Sequence, residues 1–342
     1  MRPILKNTLI LLSFLFILSS CKKNGITGKV SPVANVYISG LDNKDAVYWK
    51  NGTEVHLTNN AQGASTSSIF VTSNNDVYVA GSEATSGNSL ATYWKNGRPN
   101  FLTDSGAYVV ANFISVSGSD VYIAGLIEKG NNDPHAVYWK NGQQNGYVNA
   151  ASVAITGFVS GADVYLAGYT INSNYNGIGA ISDAMYEKNN SVVNISTGNV
   201  GGVVLSLYVA GSNVYAAGYG YDSQGIFNYA TLWVNGTVTM LSKQVDSYAQ
   251  SVFVYQNDVY VSGFESLTTG GNGVATVWKN GVATHLSTQT SAANSIFVYN
   301  GDVYVAGSLT DANGAESAVY WKNGTITNLG PVGTNASSIF IK

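Results

Sequence analysis

The sequence predicts an all-β protein, a seven-bladed β-propeller of four-stranded antiparallel blades. Three observations carry that expectation. The pattern Asp/Asn-Val-Tyr-x-x-Gly, a variable stretch, then Ala-x-x-Trp-Lys-Asn-Gly recurs in seven copies about 45 residues apart, the period of four-stranded blades rather than of helical repeats. Tight-turn dipeptides recur at the same two places, the second in all seven copies and the first in the six that have their own strand A. The first copy also lacks the segment on which the chain ends, so the two termini would complete one blade between them.

The elements follow in order within each copy. In the last full copy, Ile296-Phe297-Val298-Tyr299 reads as strand A and Asn300-Gly301 as a turn. Asp302 to Ala306 then reads as strand B, ended by Gly307. Ala318-Val319-Tyr320-Trp321 is strand C, and Asn323-Gly324 leads into strand D, Thr325 to Leu329. Asn-Gly suits the two positive φ angles of a type I′ hairpin turn. It stands at 51–52, 96–97, 141–142, 235–236, 280–281 and 323–324, with Asn189-Asn190 in the fourth copy. The A–B turns are equally short and rich in Gly and Asn, so each copy should be an antiparallel meander. Copy one opens at strand B, Asn35-Val36-Tyr37, and Ser338 to Ile341 is an unpaired strand A at the end. Pairing the C-terminal strand with the first blade closes the ring and removes the open edges that invite aggregation.

Composition agrees with one closed domain. Charged residues make up only 10% of the 342, and the abundant Gly, Ser, Thr, Asn and Tyr favour tightly turned β-structure. Net charge is −3, and −5 without residues 1–20, which carry Arg2 and Lys6. No basic patch is present to follow a phosphate backbone, so nucleic acid is not an expected partner.

Residues 1–20 read as a signal peptide: Arg2 and Lys6 precede an apolar run from Leu9 to Leu18. The run is short of the roughly 20 residues of a membrane-spanning helix. Leu18-Ser19-Ser20-Cys21 resembles a bacterial lipobox, which implies acylation of Cys21, the one cysteine of the chain. An ordinary secretory signal is the alternative. Residues 21–32 would then be the lipidated cysteine and its tether, and 33–342 the propeller. The expected location is the bacterial cell envelope, anchored to the outer membrane through palmitate-type chains, with the protein monomeric.

The stretch Val-Tyr-Val-Ala-Gly, a loop, then Ala-Val-Tyr-Trp-Lys-Asn-Gly-Thr-Ile-Thr-Asn-Leu-Gly at 303–330 resembles lipid-anchored propeller proteins of Bacteroidetes-type bacteria and HAF-type extracellular repeats. The resemblance covers roughly 33–342 and implies fold and location. It implies no site residues, and the repeat departs from WD repeats, which carry Gly-His and Trp-Asp pairs, and from kelch repeats, which carry a Gly-Gly pair.

Chemistry is sparse. Trp-Lys-Asn-Gly and Val-Tyr-x-x-Gly read as scaffold, with Trp covering the gap between blades. His56, His135 and His285 stand in different copies and read as surface residues, with no calcium-loop pattern. No metal and no cofactor are therefore expected. Acidic residues of the variable face, Asp42, Asp45, Glu83, Glu128, Asp133, Asp183, Asp222, Glu265, Asp311 and Glu316, are scattered one or two per loop. A pair of them at the channel mouth would be needed for a polysaccharide hydrolase or lyase.

The B–C stretches vary from 5 to 15 residues between the motif Gly and the strand-C Ala, the longest in copy four. Variable loops on a rigid scaffold are where recognition usually sits. Copies four and five are the anomaly. Copy four puts Glu187 where Trp belongs and carries Tyr169, Asn172, Asn174 and Tyr175; copy five carries Tyr219, Tyr221, Asp222, Phe227 and Tyr229. Tyrosine faces and neighbouring amides suit a glycan or a peptide, although the same tyrosines would also pack long loops against the rim. The expected function is thus a non-catalytic binding module, with the hydrolase or lyase and a scaffold of an envelope complex as alternatives.

Overall fold

The computed structural model describes residues 34–59, 63–85, 88–102, 108–128, 134–147, 152–172, 181–196, 201–221, 227–267 and 271–342. The signal peptide, Cys21 and the tether lie outside the described residues. Within them, seven four-stranded antiparallel sheets form the blades. Blade 7 is the pattern for the others: strands Ser291–Tyr299, Asp302–Thr310, Glu316–Lys322 and Thr325–Val332, hydrogen-bonded in that order. The innermost strands A pack against one another around a central channel.

The ring closes as the sequence predicts. Strand Thr334–Ile341 supplies strand A of blade 1 by pairing with Val36–Asp42, Phe340 opposite Tyr37 and Ile339 opposite Ile38. Asn35 and Lys342 exchange backbone hydrogen bonds of 2.6 and 3.0 Å. The Lys342 ammonium then reaches into blade 2, donating to the carbonyls of Thr72 and Ser73 and to Asn75 Oδ1. The C-terminal residue therefore fastens the closing blade to its neighbour.

The strands are longer than the repeat pattern suggests. Strand B does not end at Gly307 but continues to Thr310, and strand A begins at Ser291 rather than at 296. In blade 1 the B–C stretch shrinks to a two-residue turn, because Asp42 pairs with Asp45 and Asn43 takes φ 54°. Residues that look like loop by composition extend the ladder because the neighbouring strand satisfies their backbone groups.

The motif glycine has a steric cause. Every strand A carries an extra residue, such as Gln250 in blade 6 and Asn294 in blade 7, which shifts the register against strand B. The bulge throws the preceding carbonyl towards strand B. A Cβ on Gly263 would fall onto the carbonyl oxygen of Tyr248, one on Gly307 onto that of Ala292, and the other five copies repeat the clash.

The Trp-Lys-Asn-Gly end is a clamp. In blade 6 the Asn280 side chain accepts the Val259 N–H at 2.9 Å and donates to Asp258 at 2.8 Å. Lys279 pairs with Asp258 at 2.8 Å and lies 5.1 Å from the centroid of the Tyr260 ring. The Lys279 ammonium and the Asn280 amide hold the Asp258 carboxyl below its ordinary range. The asparagine bond recurs in all seven blades. Blade 5 loses the ion pair at both ends, with Asn213 and Val234 in the charged positions.

Between blades, tryptophan provides bulk. Trp278 of blade 6 packs on Ala217, Ala230 and Leu232 of blade 5, and Trp321 on Tyr260, Ala275 and Val277 of blade 6. The indole nitrogens of Trp49, Trp94, Trp278 and Trp321 are buried with no hydrogen-bond partner. Nearer the axis, serine hydroxyls tie the inner strands: Ser206 accepts the Val252 N–H, Ser251 that of Ile296 and Ser295 that of Ile339, at 3.1–3.3 Å.

Gly263→Ala is expected to cost about 3 kcal/mol, because the methyl group displaces backbone rather than a mobile side chain. Urea unfolding would show this as a lower midpoint with an unchanged slope.

Candidate binding face

The face bearing the B–C and D–A connections carries one aromatic cluster. The residue after the motif glycine is aromatic in three consecutive blades: Tyr169, Tyr219 and Phe264. Tyr221 lies two residues beyond Tyr219 on the same side of the strand, since side chains of a strand alternate. Their ring centroids are 5.7 Å apart at 82°. Tyr248, the first residue of strand A in blade 6, fills the space between blades, 4.9 Å from Tyr219 and 5.0 Å from Phe264. Asn228 Nδ2 donates to the Tyr248 hydroxyl at 2.7 Å.

Burial disfavours ionisation of Tyr169, Tyr219 and Tyr248. It pushes the Tyr169 hydroxyl up, with Tyr221 adding to the shift, and moves Tyr219 well above the ordinary tyrosine range, again with Tyr221 second. Tyr248 is raised by burial while its bond from Asn228 works the other way. The cluster thus offers ring edges, hydroxyl groups and an amide without charge.

The residues singled out from the sequence divide into three groups. Tyr169, Tyr219 and Tyr221 come together, with Tyr229 opposite Gly220 on the adjoining strand and Phe227 exposed beside it. Asn174, Tyr175 and Asp222 lie outside the described residues. Asn172 closes strand B of blade 4 opposite Ile181, and only its backbone is described. Glu187 does not belong to this face. It pairs with Leu166 and Val192 beside the Asn189-Asn190 turn, and is 2% exposed in the seam between blades 3 and 4. Tyr248, Phe264 and Asn228 complete the cluster and escaped the sequence reading. The aromatic after the motif glycine was the available signal for Phe264.

Glu187 stands at the register where the other copies hold tryptophan, and the apolar cluster of this seam is made by Ala124, Ala136, Ala154, Leu166 and Met185. Its Oε2 is buried with no hydrogen-bond partner. Burial raises its carboxyl above the usual range, opposed by the backbone N–H of Asn190. Its neighbours are altered with it. Gly157 replaces the apolar inner residue of blade 4, and an added Cβ there would press on the ring of Phe113. Phe113 holds the register at which six other copies have Ser or Thr, and Ser115 the register at which they have an aromatic.

The histidines occupy distinct settings. His135 is buried inside strand C of blade 3, not on the surface. His285 bonds Glu265 at 2.8 Å, and the other Glu265 oxygen accepts Ser242 Oγ at 2.5 Å. Serine and histidine both contact the carboxylate rather than each other, which ties the blade 5–6 connection down but activates no nucleophile. Asp42, Glu54 and His56 gather their side-chain ligand atoms within 4.8 Å on blade 1, with Glu54 already 3.1 Å from His56.

The channel inside strands A has a volume of about 710 Å³, and none of its described lining residues is charged. Several carboxylates of the loop face make structural bonds, Glu316 to a residue of the channel wall. Glu316 accepts from Asn335, and Asp311 caps the backbone N–H groups of Asn313 and Ala315.

No protein-family model and no curated protein matches the sequence. Similarity appears among solved structures. The β-propeller domain of the Trilobed protease from Pyrococcus furiosus superposes with a TM-score of 0.52 at 10% identity, over 87% of this chain and 94% of that one. A puromycin-hydrolyzing peptidase of Mycobacterium tuberculosis gives 0.55 at 11% identity, over 87% and 53%. A puromycin hydrolase complexed with PGG gives 0.54 at 9%, over 87% and 52%. The chain spans about half the length of the last two. At these identities the likeness is one of fold. The chain is a seven-bladed β-propeller. The Pyrococcus domain is described as having an open velcro topology, whereas here strand Thr334–Ile341 closes the ring.

Glu187 makes a signed prediction. Its folded value lies above its ordinary one, so its full contribution to stability is present at low pH, where it is protonated in both states. That contribution is lost as pH rises through the window between the two values. Glu187→Gln should therefore be more stable than the wild type at pH 8 and close to it at pH 4. Thermal unfolding at the two values checks the difference.

Proposed function

We propose that the protein is a non-catalytic binding module, lipid-anchored in the bacterial envelope through Cys21, that recognises a glycan or a protein through its B–C and D–A face. The observation that carries this reading is the cluster Tyr219, Tyr221, Tyr248 and Phe264, with Tyr169 of blade 4 close enough to feel Tyr221. Rigid aromatics with hydroxyl ends supply contact area at low entropic cost, and strand ends hold them more firmly than loops would. The lipobox-like Leu18-Ser19-Ser20-Cys21 and the resemblance to lipid-anchored propeller repeats support the location.

The enzymatic alternative requires paired carboxylates around the channel. The uncharged lining and the structural bonds of Glu265, Asp311 and Glu316 favour binding over that chemistry.

A glycan array and an envelope-protein pull-down with the wild-type chain would identify the ligand. Tyr221→Ala combined with Tyr169→Ala should then weaken binding at least tenfold, as truncation of aromatic anchors does. Unchanged binding in that double variant, with an unchanged unfolding temperature, would refute the site.

A further inference from the structure

The channel wall has an order of its own. Phe70, Phe158, Tyr208, Phe253, Phe297 and Phe340 stand at one register of strand A, one per blade, and all six line the cavity. At five contacts around this girdle, neighbouring centroids lie 4.6–5.1 Å apart with tilts of 43–57°. Each ring is half-buried, so part of it faces the cavity. Ring closure does not require an aromatic at this register, because blade 3 has Ser115 there and its sheet is complete.

Nearer the loop face, the bulge residue of each strand A also lines the cavity. Asn112 and Asn294 donate through Nδ2 to the carbonyls of Ala154 and Ala336 at 2.8 Å, which aligns the amides and leaves Oδ1 as a free acceptor. Gln250, at the same position in blade 6, makes no side-chain hydrogen bond among the described residues and stands ready with both donor and acceptor. The cavity therefore has an aromatic girdle below, three amides (Asn112, Gln250 and Asn294) among the seven bulge residues above, and no charged side chain in its described lining.

We propose that the channel binds an uncharged saccharide chain entering from the loop face. The apolar C–H faces of its rings rest on the aromatic girdle, and its hydroxyls bond to Asn112, Asn294 and Gln250. Uronic or sulfated sugars are disfavoured, because their charge would leave water with no counter-charge to meet it. A volume of about 710 Å³ lies within the range of small-ligand sites. The proposal rests on the reading of the loop face as a recognition surface, and it narrows the ligand to a neutral glycan held deeper than the tyrosine cluster.

The test is calorimetric titration of the full chain with hexamers of neutral sugars (β-1,4-linked glucose, xylose and mannose, and α-1,4-linked glucose) and with hexagalacturonate. Gln250→Leu, Phe253→Leu and Tyr221→Ala are titrated beside the wild type. A neutral hexamer should bind, hexagalacturonate should bind at least tenfold more weakly, and both channel variants should lose at least tenfold in affinity. Gln250→Leu should leave the unfolding temperature unchanged, since its side chain holds nothing in the structure, and it decides the matter if Phe253→Leu proves unstable. Binding lost in Tyr221→Ala but intact in both channel variants overturns the channel site and leaves the loop-face reading standing. Loss in the channel variants alone supports the channel and overturns the tyrosine site. No binding of any neutral hexamer, or tighter binding of hexagalacturonate, overturns the proposal.

Discussion

One extra residue in each innermost strand organises the blade around it. The bulge at Gln250, Asn294 and their counterparts pushes a carbonyl oxygen at strand B, and only glycine accepts it there. The next residue along the bulged strand, usually serine, bonds a backbone N–H of the following blade. A bulge also sharpens the local twist. Intrablade register and blade-to-blade docking thus depend on the same local event. The same bulge residues line the channel, so the device that holds the ring together also furnishes the wall of the cavity.

The seam between blades 3 and 4 shows what happens when the pattern is broken. Trp becomes Glu187, the inner apolar residue becomes Gly157, and the serine and aromatic registers of blade 3 hold Phe113 and Ser115. These changes are coupled: the Phe113 ring occupies the room that Gly157 vacates. The remaining exchange leaves a carboxyl where six other copies bury an indole. A buried carboxyl is costly to ionise, so this seam weakens as pH rises.

Seven copies of a motif with Asn-Gly turns made the blade count, the antiparallel pairing and the joined termini legible in advance. Those features depend on neighbours in sequence or on repetition, and both can be read along a string. Strand ends were less legible. Whether Ser308 to Thr310 continue a ladder depends on what lies across from them, in this case Glu316 to Ala318. The site was legible in part. Tyr219 and Tyr221 announce themselves in a loop-like stretch, but Tyr248 joins them from the start of another blade's inner strand. Glu187 looked like a ligand-facing exception and is instead a buried one, because its register matches a seam-facing tryptophan.

The sequence alone determined the repeat, its turns and its closure, since positive-φ turns and alternating apolar residues are short-range requirements that each copy states again. Only the tertiary structure decided which exceptions to the repeat meet. Blade curvature brings Tyr169, Tyr219, Tyr248 and Phe264 into one surface, sends Glu187 into a seam, and sets six aromatics around a channel that no single copy encodes. Contacts between blades span about 45 residues of chain or more, and no local propensity reports a distance of that kind.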